Sequence, residues 1–181
     1  HAWWHQPDVD RIAEHWAAGS RMSDEFLAAA CARGSALYDA MEALSKGLEI
    51  GLPDGHSFVD HSGHERVKVR AKWWHPAPCS YRDVAIVGLD QQHRVPPLPL
   101  PADYPELSVE GAPVFVGHYW MEGRPVPMSP KVACLDWSAA KDGPLVAYRW
   151  DGESVIDANK FVAVGGRRPA AVLAEEPCCM A

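Results

Sequence analysis

No stretch of this chain approaches the roughly 18 consecutive apolar residues that a membrane-spanning helix requires. No basic segment leads into an apolar one, as it would in a secretory signal. Basic residues are outnumbered, 17 against 24 acidic ones, and they form no extended stripe, so a nucleic-acid backbone is not expected as the main partner. The five cysteines contain no Cys-x-x-Cys pair, which argues against a zinc ribbon or a dithiol redox motif. Cys31 in an alanine-rich helical run and Cys134 within a strand-like run read as reduced and buried, and Cys178-Cys179 as a free tail feature. The expectation is a cytoplasmic protein without a membrane or nucleic-acid partner. A phosphorylated substrate stays compatible with the net charge of −7, because bound metal ions would carry the local positive charge.

What the chain does contain suffices for one domain with a core. Val9, Ile12, Ala13 and Trp16 recur at helical spacing between Asp8 and Ala18. Ser23 reads as an N-cap for a helix from Asp24 to Arg33, and Ser35 begins another that Gly47 stops. From Glu65 to Trp74 the pattern alternates. Val67, Val69, Ala71 and Trp73 take one side, Lys68, Arg70 and Lys72 the other, as in a half-buried strand. That basic side is either a solvated face or, at Arg70 or Lys72, a contact for phosphate. Tyr81 to Leu89 predicts a further short strand, and the prolines from Pro96 to Pro101 predict a stiff connector. His56, His61 and His64 fall in a turn-rich stretch, at a spacing that fits no helix face and no common zinc pattern.

The most informative run is Ala112-Pro113-Val114-Phe115-Val116-Gly117-His118-Tyr119-Trp120. Its β-branched and aromatic residues predict a buried strand, with Gly117 turning the backbone and His118 at the carboxyl edge, where ligands gather in α/β proteins. Trp120 follows as a candidate wall of such a cleft. Two further strands, Lys131 to Ser138 and Gly143 to Glu153, are separated by a turn-rich segment and predict a hairpin. The eight tryptophans read as core and rim packing.

The block from Gly117-His118 through Asp151-Gly152 resembles the C-terminal end of calcineurin-like metallophosphoesterases. The closest likeness is to a bacterial branch with Gly-His-Tyr-Trp and Ala-Cys-x-Asp-(Tyr/Trp)-Ser, seen here at Gly117–Trp120 and Ala133–Ser138. That branch is related to serine/threonine protein phosphatases and to symmetrical dinucleoside tetraphosphate hydrolases. His1-Ala2-Trp3-Trp4-His5 is similar to its His-Ala-x-Trp-His segment, and Lys46-Gly47, Leu52 to Gly55, Phe58 and Trp73-Trp74 follow the same pattern. The likeness covers residues 1–162.

The resemblance implies an α/β fold of α+β character, the C-terminal part of a β-sandwich flanked by helices, with a helical or cap insertion after the first strand. Residues 1–164 would form that portion, with 20–110 as the cap region and 165–181 as a flexible tail. It implies hydrolysis of phosphoesters by metal-bound hydroxide at two divalent ions, manganese, iron or zinc. His1 and His118 would ligate the same metal, and His5 would face substrate. Asp136 would accept backbone hydrogen bonds. The family's Asp-x-His, Gly-Asp-x-x-Asp-Arg and Gly-Asn-His-Glu signatures supply the bridging aspartate and the general acid, and they precede the His-Ala segment. None precedes His1 here, so the chain is expected to be a C-terminal portion. Asp54-Gly55-His56 is a loop coincidence. The alternative is a non-catalytic remnant, or a fragment that depends on a partner, with no turnover.

Overall fold

The computed structural model describes residues 1–17, 19–75, 80–105 and 109–166. Cys79, Cys178, Cys179 and the expected tail from residue 167 onward lie outside them. Helix takes 27% and strand 18% of the described residues, a mixed helix and strand character.

The helices follow their caps. α1 (Gln6–Ala13) begins two residues before the expected Asp8, with His5 at its N-cap. Pro7 sits in its first turn, where a missing N–H costs nothing. Ser23 Oγ accepts the Phe26 N–H at 3.1 Å to open α2 (Asp24–Cys31), and Ser35 Oγ accepts the Tyr38 N–H at 3.0 Å to open α3 (Ala36–Lys46). Cys31, expected to be buried, ends α2 in an exposed position. α1 and α2 both pack against α3.

The strand expected from Glu65 to Trp74 is broken. Asp60 draws in the Ser62 and His64 N–H groups and Arg66 Nε, all within 3.0 Å. That turn folds β3 (Glu65–Arg66) back on β2 (Phe58–Val59), whereas β4 (Lys68–Arg70) pairs with β1 (Glu49–Gly51). Val67 stands at the break and is 63% exposed, while Val69, Ala71 and Trp73 point inward as the alternation predicts.

Tyr81 to Val84 is a helical turn, α4, rather than a strand. Ser80 and Asp83 form a reciprocal capping box, and that local closure overrides the apolar run. The proline connector stays extended and touches the turn through one bridge, Ser80 with Pro99.

β5 (Val114–Val116) and β6 (Val132–Cys134) run parallel, with Val116 beside Cys134. β6 therefore does not pair with the strand after it, contrary to the expected hairpin. Residues 139–141 make a 3₁₀ turn between left-handed Ser138 and Asp142, and this sends the chain away from β6. β7 (Leu145–Tyr148) instead pairs antiparallel with β8 (Phe161–Val164). One core cluster joins Ala2, Trp3, Trp73, Trp74, Tyr119 and Cys134; another joins Ile50, Phe58, Val69, Tyr81, Val84 and Val95.

Candidate functional site

Because β5 and β6 are parallel and in register, their carboxyl ends lie side by side. His118 follows β5 by two residues and Asp136 follows β6 by two. Sequence patterning expects the turn to fall on Gly117. The left-handed conformations fall instead on His118 (φ 72°) and Trp120 (φ 48°). Left-handed backbone at side chains of this size is strained and concentrates at functional sites. Between them Tyr119 is buried, while His118 and Trp120 line a cleft of about 450 Å³ together with His1, Phe115 and Asp136.

The opening segment is fixed to this edge by buried hydrogen bonds. The Gly117 N–H donates to the His1 carbonyl at 2.8 Å, and the Ala2 N–H to the Leu44 carbonyl at 2.9 Å. The Ala2 carbonyl accepts from Tyr119 Oη at 2.6 Å and from Trp73 Nε1 at 2.9 Å. These bonds carry the His1 ring to His118, with centroids 5.5 Å apart in an edge-on arrangement. Gly117 serves close approach: a Cβ there would stand 3.4 Å from His1 Cε1.

Burial, with the Arg70 guanidinium and Lys46 adding to it, lowers the His118 pKa, and Asp136 acts in the opposite direction. The neutral imidazole, the form that ligates metals, is favoured. Asp136 takes the Ser138 N–H on Oδ1 at 3.2 Å and the Trp120 N–H on Oδ2 at 3.4 Å, so its carboxylate holds both turns. Lys141 Nζ lies 3.6 Å from the centre of the Trp120 ring, and the His61 ring meets Trp120 edge-on at 5.5 Å.

Two of the three expected site residues, His1 and His118, come together. His5 does not line their cleft. Its Nδ1 contacts Asp8 Oδ2 at 2.7 Å and its ring stacks on Trp3 at 4.4 Å, which ties down the start of α1. Among the described residues no group of three histidine, cysteine or acidic side chains is placed to hold a metal ion. The two imidazoles therefore fit half of a four-coordinate shell and not a complete centre. Sequence reasoning named His61 only as one of three loop histidines and missed Lys141, since only the fold brings either of them to Trp120. No protein-family model, no curated protein and no solved structure matches the chain.

Proposed function

We propose that His1 and His118 are two nitrogen ligands of one divalent ion in a metal-dependent phosphoester hydrolase of the calcineurin-like kind, built as a helix-flanked β-sandwich. One observation carries this: imidazoles 117 positions apart in the sequence meet at the carboxyl edge of a parallel strand pair, with ring centroids 5.5 Å apart. The remaining ligands and the general acid are those the resemblance assigns to motifs ahead of the His-Ala segment. Bound metal supplies charge neutralisation at the phosphoryl oxygens and a nucleophile at neutral pH. This chain's residues hold and orient: Tyr119 and Trp73 fix the Ala2 carbonyl next to His1, Asp136 fixes the turns at Trp120 and Ser138, and Trp120 walls the cleft.

Manganese titration of the chain tests the pair. His118→Ala is expected to weaken binding by about tenfold or more, the scale on which even supporting groups of metal sites act. Equal manganese affinity in parent and variant overturns the assignment.

A second reading is a chain without turnover of its own, favoured by the lack of a third ligand group among the described residues. Manganese binding without hydrolysis of p-nitrophenyl phosphate supports it. Hydrolysis lost in His118→Ala excludes it.

A further inference from the structure

Beside the histidine cleft, and sharing the His61–Trp120 contact with it, lies a groove of about 840 Å³ bounded by β2, β3, β4 and residues 86–91. Its volume falls within the roughly 300–1,000 Å³ of pockets that enclose ligands.

One wall is an open strand edge. The Leu52 N–H bonds the Val67 carbonyl at 2.8 Å and the Ala71 N–H bonds the Leu48 carbonyl at 2.8 Å. Hydrogen bonding alternates along an antiparallel strand, so Val67, Val69 and Ala71 face β1 while the main chain of Lys68 and Arg70 faces away. On that outer side the Ile86 N–H closes the Arg70 carbonyl at 2.9 Å. Among the described residues no backbone group closes the N–H or carbonyl of Lys68. The Arg70 Nε is buried and lacks an acceptor.

The groove is not built for a polyanion. Its walls carry Glu49, Asp60, Glu65 and Asp90 against three cations, two of which are already beside carboxylates. Arg66 Nε lies 2.8 Å from Asp60, and an Arg70 nitrogen lies 3.9 Å from Glu49. Phe58, Val67 and Ile86 add apolar surface between the charges. Unpaired main chain, both charge signs and apolar patches together match an extended polypeptide, whose backbone adds to the edge while alternate side chains find charged or apolar neighbours.

We propose that this groove binds an extended polypeptide segment by strand addition at Lys68, next to the cleft of His1 and His118. The site is independent of the metal reading, and it is tested with EDTA present so that failure of one leaves the other standing. The probe is a fluorescein-labelled peptide alternating valine with lysine and glutamate, followed by anisotropy on the whole chain. N-methylation of alternate peptide amides is expected to weaken binding by about tenfold, as is Lys68→Pro, which removes one outward N–H and leaves the bonds to β1 in place. If Lys68→Pro fails to fold, the N-methylated peptide on the parent chain decides. Equal binding of methylated and parent peptides, no binding of the parent peptide, or its displacement by diadenosine tetraphosphate overturns the proposal.

Discussion

The edge that carries His1 and His118 and the β7–β8 hairpin are both small strand pairs, yet they are held in opposite ways. The histidine edge is fixed by tertiary contacts. Trp73, Trp74 and Tyr119 pack edge-on, with Trp73 Nε1 and Tyr119 Oη both directed at the Ala2 carbonyl. In the hairpin, Leu145 opposite Val164 and Ala147 opposite Val162 share a face that is exposed, with Leu145 at 70% and Val164 at 68%. Its closure is a local polar network in which Tyr148 Oη donates to Glu153 at 2.6 Å and Lys160 Nζ reaches Asp151 and Glu153. A cleft wall must be placed to within fractions of an ångström, and only buried, directional contacts from distant segments achieve that.

The largest effect that sharpens the contrast is expected from Trp73→Ala. The side chain is 2% exposed and donates to both Ala2 and Tyr119, so its removal leaves a cavity and two altered acceptors. A loss of about 3–5 kcal/mol by urea denaturation is expected. Manganese binding should weaken with it, because His1 loses an anchor. A loss below about 1 kcal/mol would break the comparison.

Next comes Gly47→Ala, at the end of α3. Gly47 has φ 91°, and a Cβ there would stand 2.6 Å from Tyr119 Oη. Left-handed strain and the displaced hydroxyl together predict about 1–3 kcal/mol, read in the same denaturation series. An unchanged midpoint would show that the Tyr119 contact does not fix the edge.

Leu145→Thr should move the midpoint by no more than about 0.5 kcal/mol, since the side chain is already in solvent and threonine suits a strand. A larger loss would mean that the exposed face is covered in solution.

The same contrast explains what the sequence disclosed. α2, α3 and β5 were legible because their signals are local: Ser23, Ser35 and Gly47 cap, and Val114 to Val116 form a short β-branched and aromatic run. His118 at a strand end was legible for the same reason, and its pairing with His1 came from resemblance alone. The partner of β6 was not legible. A turn-rich segment after a strand suggests a hairpin, and only the left-handed residues Ser138 and Asp142 divert the chain. The helical turn at Tyr81 did have a signal, Ser80 three residues before Asp83, which apolar content masked. The contacts of His61 and Lys141 with Trp120 were invisible because tertiary packing alone makes them.

The smallest expected effect concerns acid. The Tyr148 hydroxyl bond, the Asp151 N–H and Lys160 hold the half-buried Glu153 carboxyl at about 2, below the roughly 4.3 of a free glutamate. A carboxyl with a lowered folded-state pKa contributes stability that is fully present above the unfolded value and disappears as pH falls through the folded one. The hairpin contribution should therefore be complete above about pH 5 and fade towards pH 2. Glu153→Gln should flatten part of that acid limb in thermal melts by lowering the melt slightly near pH 7 while leaving it unchanged near pH 2, a small effect because solvent screens the network. Asp60, also held at about 2 by the His64 N–H and Arg66, keeps a residual slope in the variant. Trp73→Ala should lower stability at every pH and leave the shape of the limb intact, because no carboxylate takes part in its bonds. An acid limb that keeps its full slope in Glu153→Gln would show that the hairpin is not closed by its charges.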